Sequence, residues 1–327
     1  MRKYLIGFVL LALMAITVAC GSDANDEANT DNANGNSESE DGYNFVFLPN
    51  TQNNTFQIAM HETYQQLAEE HGYGYTMLDP DYDLNTQLNQ MADAANQGYD
   101  AAFVIPVDSA GIRQGLENFQ NNDVPVFNVD TAVIEEDREF VESVIATDAF
   151  MAGKLMGEQV VEDYPDGAKI AILDFPENES CVQRVNGFME GLASGDADYE
   201  IVAQQNGKAA LDESLPIAQD ILQSNPDLNA FFAINDPSAL GVVAALDANG
   251  KQEDVDVYSV DASPDGKEAL LDGSFTSVAA QVPIEIAKES FQMAIDHLEG
   301  NEIEEEVYLP SHIVTEEIAE ETSGEWQ

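Results

Sequence analysis

The chain has 327 residues, enough for about two domains and a substantial core, and carries 62 acidic against 11 basic side chains for a formal charge of −51. That balance argues against nucleic-acid and anionic-membrane partners, which need a basic footprint. Asp and Glu run along the whole sequence, so they describe a solvated acidic surface suited to high salt or high external pH, not an acidic tail. At 1 M salt the Debye length is about 3 Å and self-repulsion is largely screened, so the melting temperature is expected to rise with added salt. A flat melting profile from low to molar salt would contradict this.

Residues 1–20 read as a targeting segment, with Arg2 and Lys3 first, an apolar run over 6–18, and Val18-Ala19-Cys20 as a small-residue cleavage site. The run is short for a membrane span. It resembles a bacterial lipoprotein signal with Cys20 as the lipidated residue, although Thr17 stands where leucine is usual. Cys181 then has no partner for an intrachain disulfide, and two cysteines do not support a zinc site. Residues 21–42 lack aromatic and large aliphatic side chains, so a flexible tether is expected there.

The folded part begins at Tyr43. A strand over 43–48 leads through a polar loop into a helix whose apolar face carries Phe56, Met60, Tyr64, Leu67 and Ala68, ended by Gly72. Further strands are predicted at 73–78, 101–107, 124–129, 140–145, 169–173, 200–203, 230–234, 255–260 and 277–282. Helices fall between them, notably over 84–97, 149–163, 184–193 and 213–223. Such alternation, with apolar β-branched strands, implies α/β architecture with parallel sheets covered on both faces.

The stretch 229–251 is the clearest unit: a buried strand, a tight turn and a helix. Asp236 is the expected N-cap, Pro237 the first helical residue and Gly250 the left-handed C-terminal cap. Asn235 has no such local job and is the better candidate to touch a ligand, because turns at the carboxyl ends of parallel strands are where ligands bind. The pattern V-x-V-x-x-V-D occurs twice, ending at Asp130 and at Asp261, each after a similar strand-turn-helix unit. Two similar lobes account for the repetition.

Neither Asp130 nor Asp261 is placed to cap a helix, so each carboxylate is free to meet ligand. An ionised carboxylate accepts on both oxygens and can take two adjacent hydroxyls from one sugar. The amides of Asn54, Asn235 and Gln281 donate and accept, as hydroxyls do, and Phe56 offers an apolar face. Asp79-Pro80-Asp81-Tyr82-Asp83 begins like a calcium loop, but Leu84 and Gln90 occupy its glycine and bidentate-glutamate positions, so turn and cap roles are expected. No phosphate loop, nucleophile elbow or metal-ligand spacing of the four histidines is evident, and no cofactor is expected.

Together the segments N-N-T-F at 53–56, P-V-D-S at 106–109, R-V-N-G-F at 184–188, F-A-I-N-D at 232–236, S-V-D-A-S-P-D-G at 259–266 and A-A-Q-V-P at 279–283 resemble the ribose-binding, type I family of periplasmic sugar-binding proteins, over about residues 44 to 315. The resemblance implies the type I periplasmic-binding-protein fold, two similar Rossmann-like lobes joined by a hinge. It places one lobe at 43–147 plus 282–308 and the other at 148–281 plus 309–327. It implies ligand contacts at Asn54, Phe56, Asp130, Asn235, Asp261 and Gln281, with Arg184 matching a more structural arginine. Departures from the ribose binders are Thr131 and Val182 for arginines, Gln57, Ala209 and Val260 for phenylalanines, and Ile105 for asparagine. A less aromatic pocket for a small neutral sugar or polyol is expected. The implied partners are the membrane subunits of an ABC permease, with the protein a monomer held at the outer membrane face by lipid on Cys20. A docking sensor for a chemoreceptor or kinase is the alternative, and a glycosidase using Asp130 and Asp261 a weaker one.

Overall fold

A computed structural model describes residues 42–326. The targeting segment, Cys20 and the tether up to residue 41 lie outside the described residues.

Eleven strands and ten α-helices alternate along the described chain. The first part runs β1 (Asn44–Leu48), α1 (Thr55–His71), β2 (Gly74–Met77), α2 (Leu84–Ala94), β3 (Ala101–Val104), α3 (Arg113–Gln120), β4 (Val126–Val129) and β5 (Ser143–Thr147). A second run follows with α4 (Ala149–Asp163), β6 (Ala168–Asp174), α5 (Glu179–Leu192), β7 (Tyr199–Asn206), α6 (Leu211–Ser224) and β8 (Ala230–Ala233). It continues through α7 (Asp236–Asn249), β9 (Asp256–Asp261), α8 (Pro264–Leu271) and β10 (Ser277–Ala280), and the chain closes with α9 (Pro283–Leu298), β11 (Glu306–Leu309) and α10 (Glu316–Glu321).

The strands form two parallel sheets, ordered β11-β5-β4-β3-β1-β2 and β10-β9-β8-β6-β7. Without β11, both have the same order, and β4 and β9 hold the same place in it. The V-x-V-x-x-V-D repetition therefore marks equivalent strands. In this order the connection reverses direction between the first and third strands of each sheet, which opens a crevice at their carboxyl ends.

Alternation along the strands fills both faces. On β1, Phe45 and Phe47 pack with Tyr64, Phe103 and Phe291 beneath α1 and α9, while Val46 and Leu48 meet Met91, Leu116 and Phe119 of α2 and α3. On the second sheet, Ile170, Ile172 and Phe232 lie under α4 and α5, with the Phe188 and Phe232 rings stacked at 4.1 Å. Ala171, Leu173 and Phe231 face α6 and α7. Both faces of each sheet are covered, which is why the strands read as apolar runs. Helix α9 returns to the first sheet and α10 packs on α8 of the second half, so the chain passes between the halves near Thr147, Gln281 and Leu309.

Several boundaries differ from the sequence expectation. The strand predicted at 140–145 starts at Ser143, because Glu135–Phe140 is a 3₁₀ turn tied down by buried Asp137, which pairs with Arg113, itself stacked over Phe140. The helix predicted at 184–193 begins earlier, where the Asn178 side chain accepts the Cys181 N–H at 3.0 Å and caps α5. β11 has no counterpart among the predicted strands. Asp236 is not the cap of α7: Asn235 is, its side chain accepting the Ser238 N–H at 3.1 Å in extended backbone, with Gly250 left-handed at the far end as expected.

Candidate functional site

A pocket lies between the carboxyl edges of the two sheets. Its wall on the first half comes from the turns after β1, β2 and β4, through Asn50, Asn54, Phe56, Gln57, Tyr82, Asp130 and Thr131. The second half supplies Phe175, Asn178, Cys181 and Arg184 after β6, Ala209 after β7, Asn235 after β8, Asp261 from the end of β9 and Gln281 after β10.

Asp261 is the most heavily engaged of these. Its Oδ1 accepts the Gln281 amide at 2.7 Å, its Oδ2 accepts the Asp236 backbone N–H at 3.2 Å, and Arg184 Nη1 stands 3.6 Å from Oδ1. The same Nη1 donates to the Ile234 carbonyl at 2.7 Å, fixing the guanidinium against the end of β8. Among the described residues, buried Arg184 Nε meets no hydrogen-bond partner. Behind Asp261 lies Asp236, fully buried, accepting from the Ser259 hydroxyl at 2.7 Å and from the Ser263 hydroxyl and backbone N–H at 2.7 and 2.8 Å. Burial raises the pKa of both carboxyls; Asp261 pushes Asp236 further up, whereas Arg184 restrains the rise at Asp261. Arg184 stands 3.6 Å from Asp261, and its charge favours the ionised form of that carboxyl.

Asp130 contrasts with it. Its backbone is left-handed, with φ of 61°, and turns the carboxylate out of the sheet line. The Thr131 hydroxyl donates to it at 3.3 Å, a long bond that leaves most of its acceptor capacity for something else. Desolvation lifts its pKa to about 7, with Arg184 lowering it and Asp261 raising it. The influence of Asp261 on Asp130, together with their shared pocket, places the two strand-end carboxyls in one electrostatic neighbourhood.

Around them, Asn54 caps α1 through the Phe56 N–H at 2.8 Å, and the Phe56 ring meets Trp326 edge-on at 5.5 Å. Gln57 holds the loop after β1: its Oε1 accepts the Asn50 N–H at 2.9 Å and its Nε2 donates to the Asn50 side chain. Asn235 donates from Nδ2 to the Ala209 carbonyl at 3.1 Å in addition to its capping bond. The halves touch beside the pocket. Asn178 Nδ2 donates to the Thr131 hydroxyl at 2.9 Å and the Ser180 hydroxyl to the Asp130 carbonyl at 2.9 Å, while the Ser109 N–H reaches the Glu177 carbonyl at 3.2 Å.

All seven residues singled out in the sequence, Asn54, Phe56, Asp130, Arg184, Asn235, Asp261 and Gln281, line this one pocket. The idea that Asn235 lacks a local role is corrected, since it caps α7. Among the departures, Gln57, Thr131 and Ala209 reach the pocket, whereas Ile105 and Val260 are buried in the cores. Sequence reasoning missed Tyr82, Phe175 and Asn178. An asparagine three residues before Cys181 was a readable capping signal; the two aromatics sit in loops with no periodic pattern around them.

Two α/β halves of identical strand order around a shared polar cleft define a two-lobed ligand-binding protein. The chain belongs to the periplasmic binding protein domain family, whose model matches residues 45–302. It is similar to the ribose import binding protein of Salmonella typhimurium, at 29% identity over 255 residues covering 78% of this chain and 84% of that one. The Bacillus subtilis ribose import binding protein is 26% identical over 317 residues, 97% of this chain and 100% of the relative. Among solved structures, the Caulobacter myo-inositol binding protein bound to myo-inositol superposes with a TM-score of 0.80 at 25% identity, over 85% of this chain and 95% of the other.

Proposed function

We propose that this protein is the extracytoplasmic substrate-binding component of an ABC importer and that it captures a small neutral sugar or polyol between its two halves without altering it. The observation that carries this is the convergence of Asp130 and Asp261, ending equivalent strands of two sheets, on one pocket also lined by the Asn54, Asn235 and Gln281 amides. Paired hydroxyls satisfy carboxylates and amides of this kind, and relatives named for ribose and myo-inositol binding support the ligand class. Residues 43–147 plus 282–308 and residues 148–281 plus 309–327 then act as rigid lobes, and ligand bridging them shifts the open–closed population. The protein is a monomer carried on lipid at Cys20, hands its cargo to permease membrane subunits, and its acidic surface suits a saline or alkaline exterior.

A thermal-shift screen over pentoses, hexoses and inositols tests this. A ligand present at 100 times its Kd should add about 2.7 kcal/mol to stability, several degrees for a chain of this size. Stabilisation by at least one member, with no turnover of aryl glycosides, is the expected result. Absence of any shift across the panel, or glycoside hydrolysis, would contradict the proposal.

A further inference from the structure

Beyond the inner pocket lies a larger space, open to solvent, lined by Asp108, Glu177, Asn206 and Lys208 together with the apolar Leu84 and Val107. Tyr82 and Phe175 are the two residues common to the linings of both spaces. They come from opposite halves, Tyr82 from the loop after β2 and Phe175 from the turn after β6, and both are half-buried. Asp81 and Tyr82 are consecutively left-handed, with φ of 51° and 59°, an uncommon conformation for a bulky aromatic residue. The loop is held there: Asp79 Oδ1 accepts the Asp81 N–H at 2.9 Å, and the Tyr82 N–H donates to the Asn50 carbonyl at 2.8 Å. Burial raises the phenol to about 12, so the ring stays neutral.

From this arrangement we infer that Tyr82 and Phe175 are the specificity-determining pair that limits the cargo to a single ring. Each half contributes one aromatic leaf to a wall across the pocket, and a second ring on the ligand needs the space these leaves occupy. With the wall removed, the inner pocket opens into the outer space, whose carboxylates and amides suit further hydroxyls. The inference rests on the sugar-binding reading above and adds to it which residues set ligand length.

The test uses the double variant Tyr82→Gly/Phe175→Ala. Glycine accepts the left-handed backbone at 82 without strain, so the loop keeps its path. Matched probes are titrated calorimetrically into the parent and the variant: D-ribose with benzyl β-D-ribofuranoside, D-galactose with lactose, and myo-inositol with galactinol. For the pair whose one-ring member binds the parent, the ratio of two-ring to one-ring affinity is expected to rise at least about 30-fold in the variant, chiefly through gained two-ring binding. A folded variant, shown by an unchanged far-ultraviolet spectrum and cooperative melting, with an unaltered ratio overturns the wall while leaving the sugar-binding reading intact. Should the double variant melt without cooperativity, Phe175→Ala alone must show a smaller rise in the same ratio, and no rise overturns the inference. If no one-ring probe binds the parent, the sugar-binding reading fails and the inference falls with it.

Discussion

Replacing Asp130 by asparagine should weaken ligand binding about 100-fold and at the same time raise the melting temperature. The Asp130 carboxylate is desolvated and receives a single long hydrogen bond from Thr131. Among the described residues, no cation stands as close to it as Arg184 does to Asp261. Hydrogen bonds to a charged acceptor contribute about 1.5–3 kcal/mol and neutral ones about 1, so losing the charge from two hydroxyl contacts costs about 2–3 kcal/mol. Asparagine tolerates the left-handed backbone that Asp130 adopts, so the turn survives the change.

The stability gain follows from linkage. Desolvation raises the folded pKa of Asp130 to about 7, above the unfolded value of about 3.9, so the native state holds a proton that the unfolded state releases. Stability from this group is therefore fully present below about pH 4 and is lost as pH rises through about 7. The asparagine variant would carry no such loss. Ligand hydroxyls favour the ionised carboxylate, so affinity of the parent should climb as pH passes upward through about 7 and then level off, while the variant loses the part of that rise which Asp130 supplies. Calorimetric titration from mildly acidic to mildly alkaline pH, with melting of both proteins, checks all of these, and equal affinities for parent and variant would remove Asp130 from the site.

A side chain at Gly187 should destabilise the second half. Helices α4 and α5 cross backbone to backbone: a Cβ at Gly187 would overlap the Phe150 carbonyl oxygen, and one at Gly153 would overlap the carbonyl oxygen of Arg184. Backbone cannot rotate away as a side chain can, so the helices must separate, and the packing of Phe188 on Phe232 beneath them is disturbed. Overpacking of this kind costs about 1–3 kcal/mol for alanine, and Gly187→Val should exceed that and abolish cooperative folding of the second half. Because α5 also carries Cys181 and Arg184 into the pocket, Gly187→Ala should lower both the melting temperature, by about 5–10 °C, and the affinity. Scanning calorimetry that finds Gly187→Ala unchanged would show that the helices have room to spare.

How much of this was readable in the residues depended on how local each cause is. Asp130 and Asp261 stood out because a carboxylate ending an apolar strand, with no helix to cap, has little else to do than meet a ligand. Asn235 and Asp236 were exchanged because N-D-P-S permits either residue to cap. The choice is made by Ser259 and Ser263, more than twenty residues away, which capture the Asp236 carboxyl and leave the cap to Asn235. β11 escaped notice since it is an edge strand of mixed exposure, held by its pairing with β5 and not by its own pattern. Tyr82 and Phe175 were invisible for a similar reason: each matters through a neighbour on the opposite half, and no periodicity announces a loop residue.

A crystal structure of the protein with the best ligand from the sugar and polyol screen tests the central claim most directly. Hydroxyls of one molecule should lie within about 3 Å of both the Asp130 and the Asp261 carboxylates. A ligand held by one half alone, or seated outside the space these two residues share, would contradict it.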